Sequence, residues 1–589
     1  MRLSRLWKIG LLVLAVVVAI ALLGRSILTA NSKTNPVSQL VFVSPSDPAT
    51  FNAPINTSAF NIFGFINEGL LTQNGITTEL EPALAESWEI SEDKLKIVFT
   101  LREGLQWSDG APLTADDVVF SYNDVYLNPK VPTGIRDILR VGDGYPSVRK
   151  IDDLHVEFTV PEPFAPFLRY AGGISILPKH ALEEAVNTTD ANGDLTLLTT
   201  WGTDTNPQEI VGAGYYRMTD YIPSQRVIFE RNPYYWRKDE GGEAQPYVEQ
   251  VILQIIESDE TQSIAFRSGE LDSLEVRPES FSLLKKEEDK GKYTIYNGGP
   301  ASESRFLGFN LCKAQDATGK PFVDPMKLKW FTDLRFRQAI AHAVDRDRMK
   351  NNIYRGLGVV QHSPIGVASP YYFSPEQGLK TYDYNPQKAK DLLLEAGFQY
   401  DEEDQLLDAD ENPVRFNLLV KSEEKTRVDA AVQIQQDLQA IGIRADLQVL
   451  NFNTVLKHLR SRDWEGYVGG FGGGGIEPHS SFNIWYSGGT LHQFNQGQYP
   501  GEDPIQGWEV TDWEKEIDRL FLEGARELDE EKRREIYSQF QQVVAENVPF
   551  LYLVNALSLE AVRDRIQNIK FTSFGGAFWN LYELQVEAD

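Results

Sequence analysis

The sequence predicts an α/β protein of more than one domain, and three observations carry that reading. Strand-like and helix-like patterns alternate along most of the chain. Helical patterns end at glycine and give way to alternating strands. With 589 residues the chain is too long for one ordinary core, so two to four domains are expected.

The elements follow in order. Residues 31–39, "NSKTNPVSQ", are polar and without periodicity, a linker, and "LVFVS" at 40–44 reads as a strand. In "KLKIVFTLR", 94–102, Leu95, Ile97, Phe99 and Leu101 share one face, as in a half-buried strand. "TADDVVFSYNDVY" opens with Thr114 as N-cap and Asp117 three residues on. It places Val118, Val119, Tyr122, Val125 and Tyr126 on one helical face. In "LRFRQAIAHAVDRDRM" the apolar stripe is Phe336, Ala339, Ile340, Ala343 and Val344, and the charges read as its solvated face. Asn385-Pro386 opens a helix with Ala389, Leu392, Leu393 and Ala396 inward and Gly397 as a left-handed stop. A further helix, Val428 to Ile441, stops at Gly442, and Ile443, Ala445, Leu447 and Val449 then alternate as a strand.

The N-terminus is of another kind. Arg2, Arg5 and Lys8 precede the uncharged run "IGLLVLAVVVAIALLG", 9–24, which ends at Arg25. Its length lies between a signal-peptide core and a membrane-spanning helix, and its positive flank predicts export of everything after Arg25. We expect an uncleaved anchor, with a cleaved signal peptide near Ala30 and Ser32 as the alternative. The single cysteine, Cys312, excludes an intrachain disulfide and reads as a small core residue. A net charge of −28 disfavours nucleic acid and anionic membrane surfaces as partners.

No catalytic or metal constellation is visible. The seven histidines (His155, His180, His342, His362, His458, His479 and His492) form no H-E-x-x-H and no i, i+4 pair, and no G-x-S-x-G occurs. His479 and His492 flank the glycine region and read as polar loop residues. Trp88, Trp107 and Trp236 read as packing. No cofactor is expected.

Taken in order, several segments resemble the family 5 extracytoplasmic solute-binding proteins of ABC importers, the group of dipeptide-, oligopeptide- and nickel-binding receptors. "LEPALAESWEISEDKLKIVFTLREGLQWSDGAPLTADDVVFSY", 80–122, is similar to the family's signature region. "GAGYYRMTDY", "FERNPYYW", "FRQAIAHAVDR", "YNPQKAKDLLLEAGF" and "LQAIGIRADLQVLNFN" are similar to its later landmarks. The resemblance covers roughly residues 40–589. It implies a two-lobed periplasmic-binding-protein-like fold (type II, cluster C) with an extra inserted domain, here preceded by the N-terminal apolar helix. The domains implied are 36–80, 209–297 and 555–589 for the first, 81–208 for the inserted second and 298–554 for the third, after an anchor and linker at 1–35. It also implies a monomeric receptor, tethered outside the cytoplasmic membrane, that closes on a peptide-like or oligosaccharide-like solute and passes it to ABC permease subunits. The alternatives are a secreted hydrolase on the same scaffold and a ligand sensor that does not transport.

Six of the seven residues 469–475, "GGFGGGG", are glycine, followed by Ile476 and then Glu477-Pro478. Three readings are open: a dinucleotide-binding turn, a surface turn, and a loop that lets a ligand approach the backbone. The first lacks a following helix and a ribose-binding acid at the right distance, and we favour the third. In peptide-binding relatives this stretch carries a tryptophan and an aspartate that holds the peptide's α-ammonium. Phe471 matches the first and Gly474 the second, so the resemblance implies that this anchor is missing unless Glu477 replaces it. Leaving a buried charge unpaired costs about 2–5 kcal/mol. The expected ligand-binding residues are Phe471, Gly472, Gly473, Gly474, Glu477, Trp485, Tyr486 and, in an early loop, Asp47.

Overall fold

The computed structural model describes residues 38–56, 62–142, 144–472, 475–499 and 502–587. The apolar run 9–24, Gly473 and Gly474 lie outside the described residues. Among those described, no helix is long and apolar enough to cross a membrane.

Alternation builds the first sheet. Ile97, Phe99 and Leu101 are buried on one face of strand Lys96–Leu101. That strand lies between Ala85–Ile90 and His155–Thr159, and Ser147–Lys150 completes an antiparallel four-stranded sheet. The helix Ala115–Phe120 begins in a capping box. The Thr114 N–H donates to Asp117 Oδ2 at 2.9 Å while the Thr114 side chain caps the first turn. It continues as a π-helical stretch, Ser121–Tyr126, and Tyr122 packs edge-on against Phe158 of the sheet at 4.8 Å.

A second four-stranded sheet is assembled from distant pieces. Gln39–Ser44 runs parallel to Gln250–Ile255, and Arg226–Arg231 and Tyr216–Ile222 follow antiparallel. Buried Asp272 joins the two ends of the described chain, accepting from the Val41 N–H at 2.8 Å and pairing with Arg565 at 2.7 Å.

The third sheet is five-stranded and mixed, in the order Arg444–Leu450, Arg415–Lys421, Gly466–Phe471, Ser304–Phe309, Phe550–Tyr552. The first three are parallel and the last two antiparallel to their neighbours. Strand Val554–Arg563 leaves this body. It pairs with Gly358–Val360 at its start, then with Tyr293–Pro300 and Ser273–Glu275. Tyr293–Pro300 in turn runs on toward Ser304–Phe309, so two chain crossings join the bodies side by side.

Buried apolar side chains gather in separate clusters. One, around Trp107, Tyr122 and Phe158, draws on residues 70–213 and on Ala525. Another, around Phe306, Phe416 and Phe540, draws on 306–554. Two more, around Phe229 and Phe266, combine early, middle and C-terminal residues.

Helix Pro386–Glu395 is capped by Asn385 and stops before Gly397 at φ +93°, and Lys425–Gln439 stops before Gly442 at φ +79°. Two expectations are corrected. Arg337 and Arg346, read as part of a solvated face, are buried. Arg337 donates to the Phe331 and Asn547 carbonyls at 2.7–3.0 Å, capping helix ends that lack their own donors, and burial pulls it down to about 10. At the sheet's edge the alternation of 443–449 fades, with Ile443 and Ala445 buried but Val449 exposed, because no strand covers that side.

Candidate functional site

Parallel strands Arg415–Lys421, Arg444–Leu450 and Gly466–Phe471 end along one edge of the five-stranded sheet. The antiparallel pairing Ser304↔Phe471 brings the start of Ser304–Phe309 to the same edge. Open α/β sheets bind ligands beyond the carboxyl ends of their strands, and a cavity lies there. Counted out into the surrounding solvent, its open space is ≈ 680 Å³. Phe471, Gly472, Gly475 and Trp485 border it. Phe574, which follows the partly buried Phe571 of the Phe229 cluster, closes it from the other body. None of the described lining residues is charged, and five are serines: Ser302, Ser304, Ser369, Ser480 and Ser481. The surface is therefore apolar and dotted with hydroxyl groups.

The glycines divide between two tasks. A Cβ at Gly470 would stand 2.4 Å from the Ser304 carbonyl oxygen, so this glycine lets two strands approach. A Cβ at Gly472 would meet nothing within 4 Å, and this residue faces the open cavity. Gly469, Gly470 and Gly472 all sit outside the left-handed region, so space and not φ distinguishes them.

The other expected residues lie as follows. Phe471 packs against Phe306 at 5.0 Å and Phe550 at 5.8 Å, leaving part of its ring to the cavity. Trp485, 2% exposed, is held edge-on by Phe540 at 5.0 Å. Tyr486 stacks on Phe482 at 4.6 Å and lies under Arg140, away from the cavity lining. Asp47 accepts hydrogen bonds from the Tyr221 hydroxyl at 2.7 Å and the Ser224 N–H at 2.9 Å, which fixes its loop.

Glu477 is buried and turned from the cavity. It accepts from the His479 N–H at 3.1 Å and from Arg533 at 2.6 Å, and Arg533 also donates to the Tyr371 hydroxyl and the Gly524 carbonyl. The pairing ties the acid to the scaffold of the turn, and it is absent from the cavity lining. The two histidines near the run are buried as well, not polar loop residues. His492 Nε2 meets Glu514 at 2.9 Å and its Nδ1 meets the Ile484 carbonyl at 3.0 Å. No group of three or more metal-ligating side chains is found among the described residues.

Ser302, Ser304, Tyr552 and Phe574 were not singled out in the sequence. The apolar run "FLGF" marks a buried strand after Ser304, and nothing local announces where that strand pairs.

Residues 79–493 match the bacterial extracellular solute-binding proteins, family 5 Middle. The chain is similar to a probable ABC transporter-binding protein of Deinococcus radiodurans, 28% identical over 549 residues, 89% of this chain and 88% of that one. It is similar to the dipeptide-binding protein of Escherichia coli (strain K12), 27% identical over 593 residues, 96% of this chain and 95% of that one. Among solved structures it resembles a periplasmic binding protein of Agrobacterium fabrum C58 in complex with stachyose, with a TM-score of 0.78 at 20% identity, covering 94% of this chain and 85% of that one. The architecture is thus the two-lobed α/β fold of periplasmic binding proteins.

Proposed function

Because the chain belongs to the family 5 bacterial extracellular solute-binding proteins, we propose that it is the receptor of an ABC importer. It captures one solute between its lobes and hands it, unaltered, to the permease. The observation that carries this reading is the uncharged, serine-dotted cavity at the carboxyl edge of the five-stranded sheet, walled by Phe471 and Gly472 on one side and Phe574 on the other. Such a lining suits a neutral, hydroxyl-rich or amide-rich solute, an oligosaccharide or an internal peptide segment. The described lining offers no carboxylate to a free α-ammonium, in keeping with the glycine at position 474.

The three-domain division follows from the same reading: 36–80, 209–297 and 555–589, then 81–208, then 298–554. Separate apolar clusters and the two chain crossings near Pro300 and Val554 support it, and those crossings are where hinge bending would concentrate. We infer from the charge-flanked apolar run that residues 9–24 tether the receptor to the outer face of the cytoplasmic membrane as an uncleaved anchor. Fractionation tests the tether: the full chain is expected with membranes and a chain truncated at residue 36 in the soluble fraction. A native protein that is wholly soluble and begins near Lys33 would mean a cleaved leader. The receptor reading itself is tested by adding purified solute: a melting curve raised by about 2.7 kcal/mol of stabilisation at a hundredfold excess over Kd, with the solute recovered intact. Steady conversion of the solute would instead make it an enzyme.

A further inference from the structure

His479 occupies an unusual place. It lies in the short 3-10 turn Pro478–Ser481, whose Pro478, Ser480 and Ser481 line the cavity, while its own ring does not. The ring stacks on Phe482 at 4.8 Å, within the body built on residues 306–554. From the other body, Phe164 meets it edge-on at 5.1 Å and Tyr170 lies at 6.2 Å. Only 2% of His479 is exposed, and neither ring nitrogen finds a hydrogen-bond partner among the described residues. The buried Tyr170 hydroxyl is likewise without one. A phenylalanine would fill this contact with no unmet polar atom, so the imidazole calls for a reason.

The contact is a narrow bridge between the two bodies. Beside it the Ala165 N–H donates to the Ala525 carbonyl at 2.7 Å, Glu162 pairs with Arg526 at 2.8 Å, and Arg140 lies over Tyr486. We propose that His479 is a pH-sensitive latch: neutral, it lets the two lobes close over the solute, and protonated, it holds them apart. The proposal rests on the receptor reading only in that the lobes open and close.

The charged and titratable groups around the ring come from every element packed on it. They are Glu477 on its own turn, Arg533 and Tyr537 on the helix Glu530–Asn547, Tyr371 bound to Arg533, Arg169 and Tyr170 on the helix opposite, and the Glu162–Arg526 pair at the rim. Imidazole is the side chain among them whose ordinary titration falls between pH 5 and 8. In the closed arrangement burial, aided by the Arg533 charge, pushes His479 down to about 3. Withdrawing Phe164 and Tyr170 lets water reach the ring and returns it toward its ordinary value of about 6.5. A group depressed in the closed state favours closure fully above that open-state value and loses the advantage as pH falls below it. At pH 5 the open-to-closed ratio should exceed that at pH 8 by up to about 30-fold from this one proton, because Arg533 stays beside the ring when the lobes part.

The test measures lobe separation directly. Spin labels are placed through Ile151→Cys and Leu528→Cys, exposed positions on the two bodies, in the full chain in detergent. Buried Cys312 stays unlabelled. Pulsed electron paramagnetic resonance reads the open-to-closed ratio from pH 8 to pH 5. The ratio is expected to rise several-fold, up to about 30-fold, in this protein and to stay level in His479→Leu, with His479→Asn as the second variant and melting curves checking that each folds. A ratio that does not move with pH, or that moves equally in the variants, overturns the latch. A protein that shows the shift yet captures no solute in its host would overturn the receptor reading alone.

Discussion

Arg533 reaches Glu477 across 2.6 Å inside the protein, and both side chains are more than nine-tenths buried. The pair ties the turn that borders the solute cavity to the helix Glu530–Asn547. Glu477 is thereby part of the scaffold of the site and is not among the residues that line the cavity.

Removing one partner of a buried ion pair strands the other. Glu477→Gln should therefore destabilise the protein by about 3–5 kcal/mol, read from urea unfolding. If Glu477 instead held a solute ammonium, the same variant would keep its stability and lose affinity for cationic solutes.

Gly470 and Gly472, two positions apart, should respond in opposite ways. Gly470→Ala drives a methyl into the Ser304 carbonyl at 2.4 Å and should cost about 1–3 kcal/mol of stability. Gly472→Val points into open space and should change stability by less than about 0.5 kcal/mol while weakening solute binding by filling the cavity. Calorimetric titration together with melting curves separates the two effects.

Glu68 gives a pH signature away from the cavity. Burial raises its carboxyl to about 7, although the Trp236 and Tyr235 side chains donate to it at 2.7 and 2.8 Å. A carboxyl raised in the folded state binds its proton more tightly folded than unfolded. Its contribution is therefore greatest below about pH 4.5 and is lost as pH rises to about 7. The loss is of the order of 3 kcal/mol. Unfolding free energy measured across that window should fall in the unaltered protein and fall less steeply in Glu68→Gln, where Glu560, raised by burial to about 7, still titrates.

Local signals in the sequence marked much of this architecture. The alternation at Ile97, Phe99 and Leu101, the cap at Thr114 and the stops at Gly397 and Gly442 are decided within a few residues of chain, and so could be read from it. The glycine run begins inside a strand, Gly466–Phe471, and passes its end at the edge where the cavity lies. What could not be read depends on partners far along the chain. Glu477 meets Arg533 only through the packing of a distant helix, and Ser304 and Phe574 reach the cavity through strand order and chain crossing. Arg337 and Arg346 looked solvated because their partners are backbone carbonyls, which leave no mark in composition.

If the protein is a receptor, one unaltered solute sits in the cavity bordered by Phe471, Gly472 and Phe574. Native mass spectrometry of the full chain purified from its own host tests it most directly. One noncovalent adduct of a neutral small molecule is expected, released intact on gentle activation and lost in Gly472→Val. No adduct from the unaltered protein, or an adduct retained in full by Gly472→Val, would contradict it.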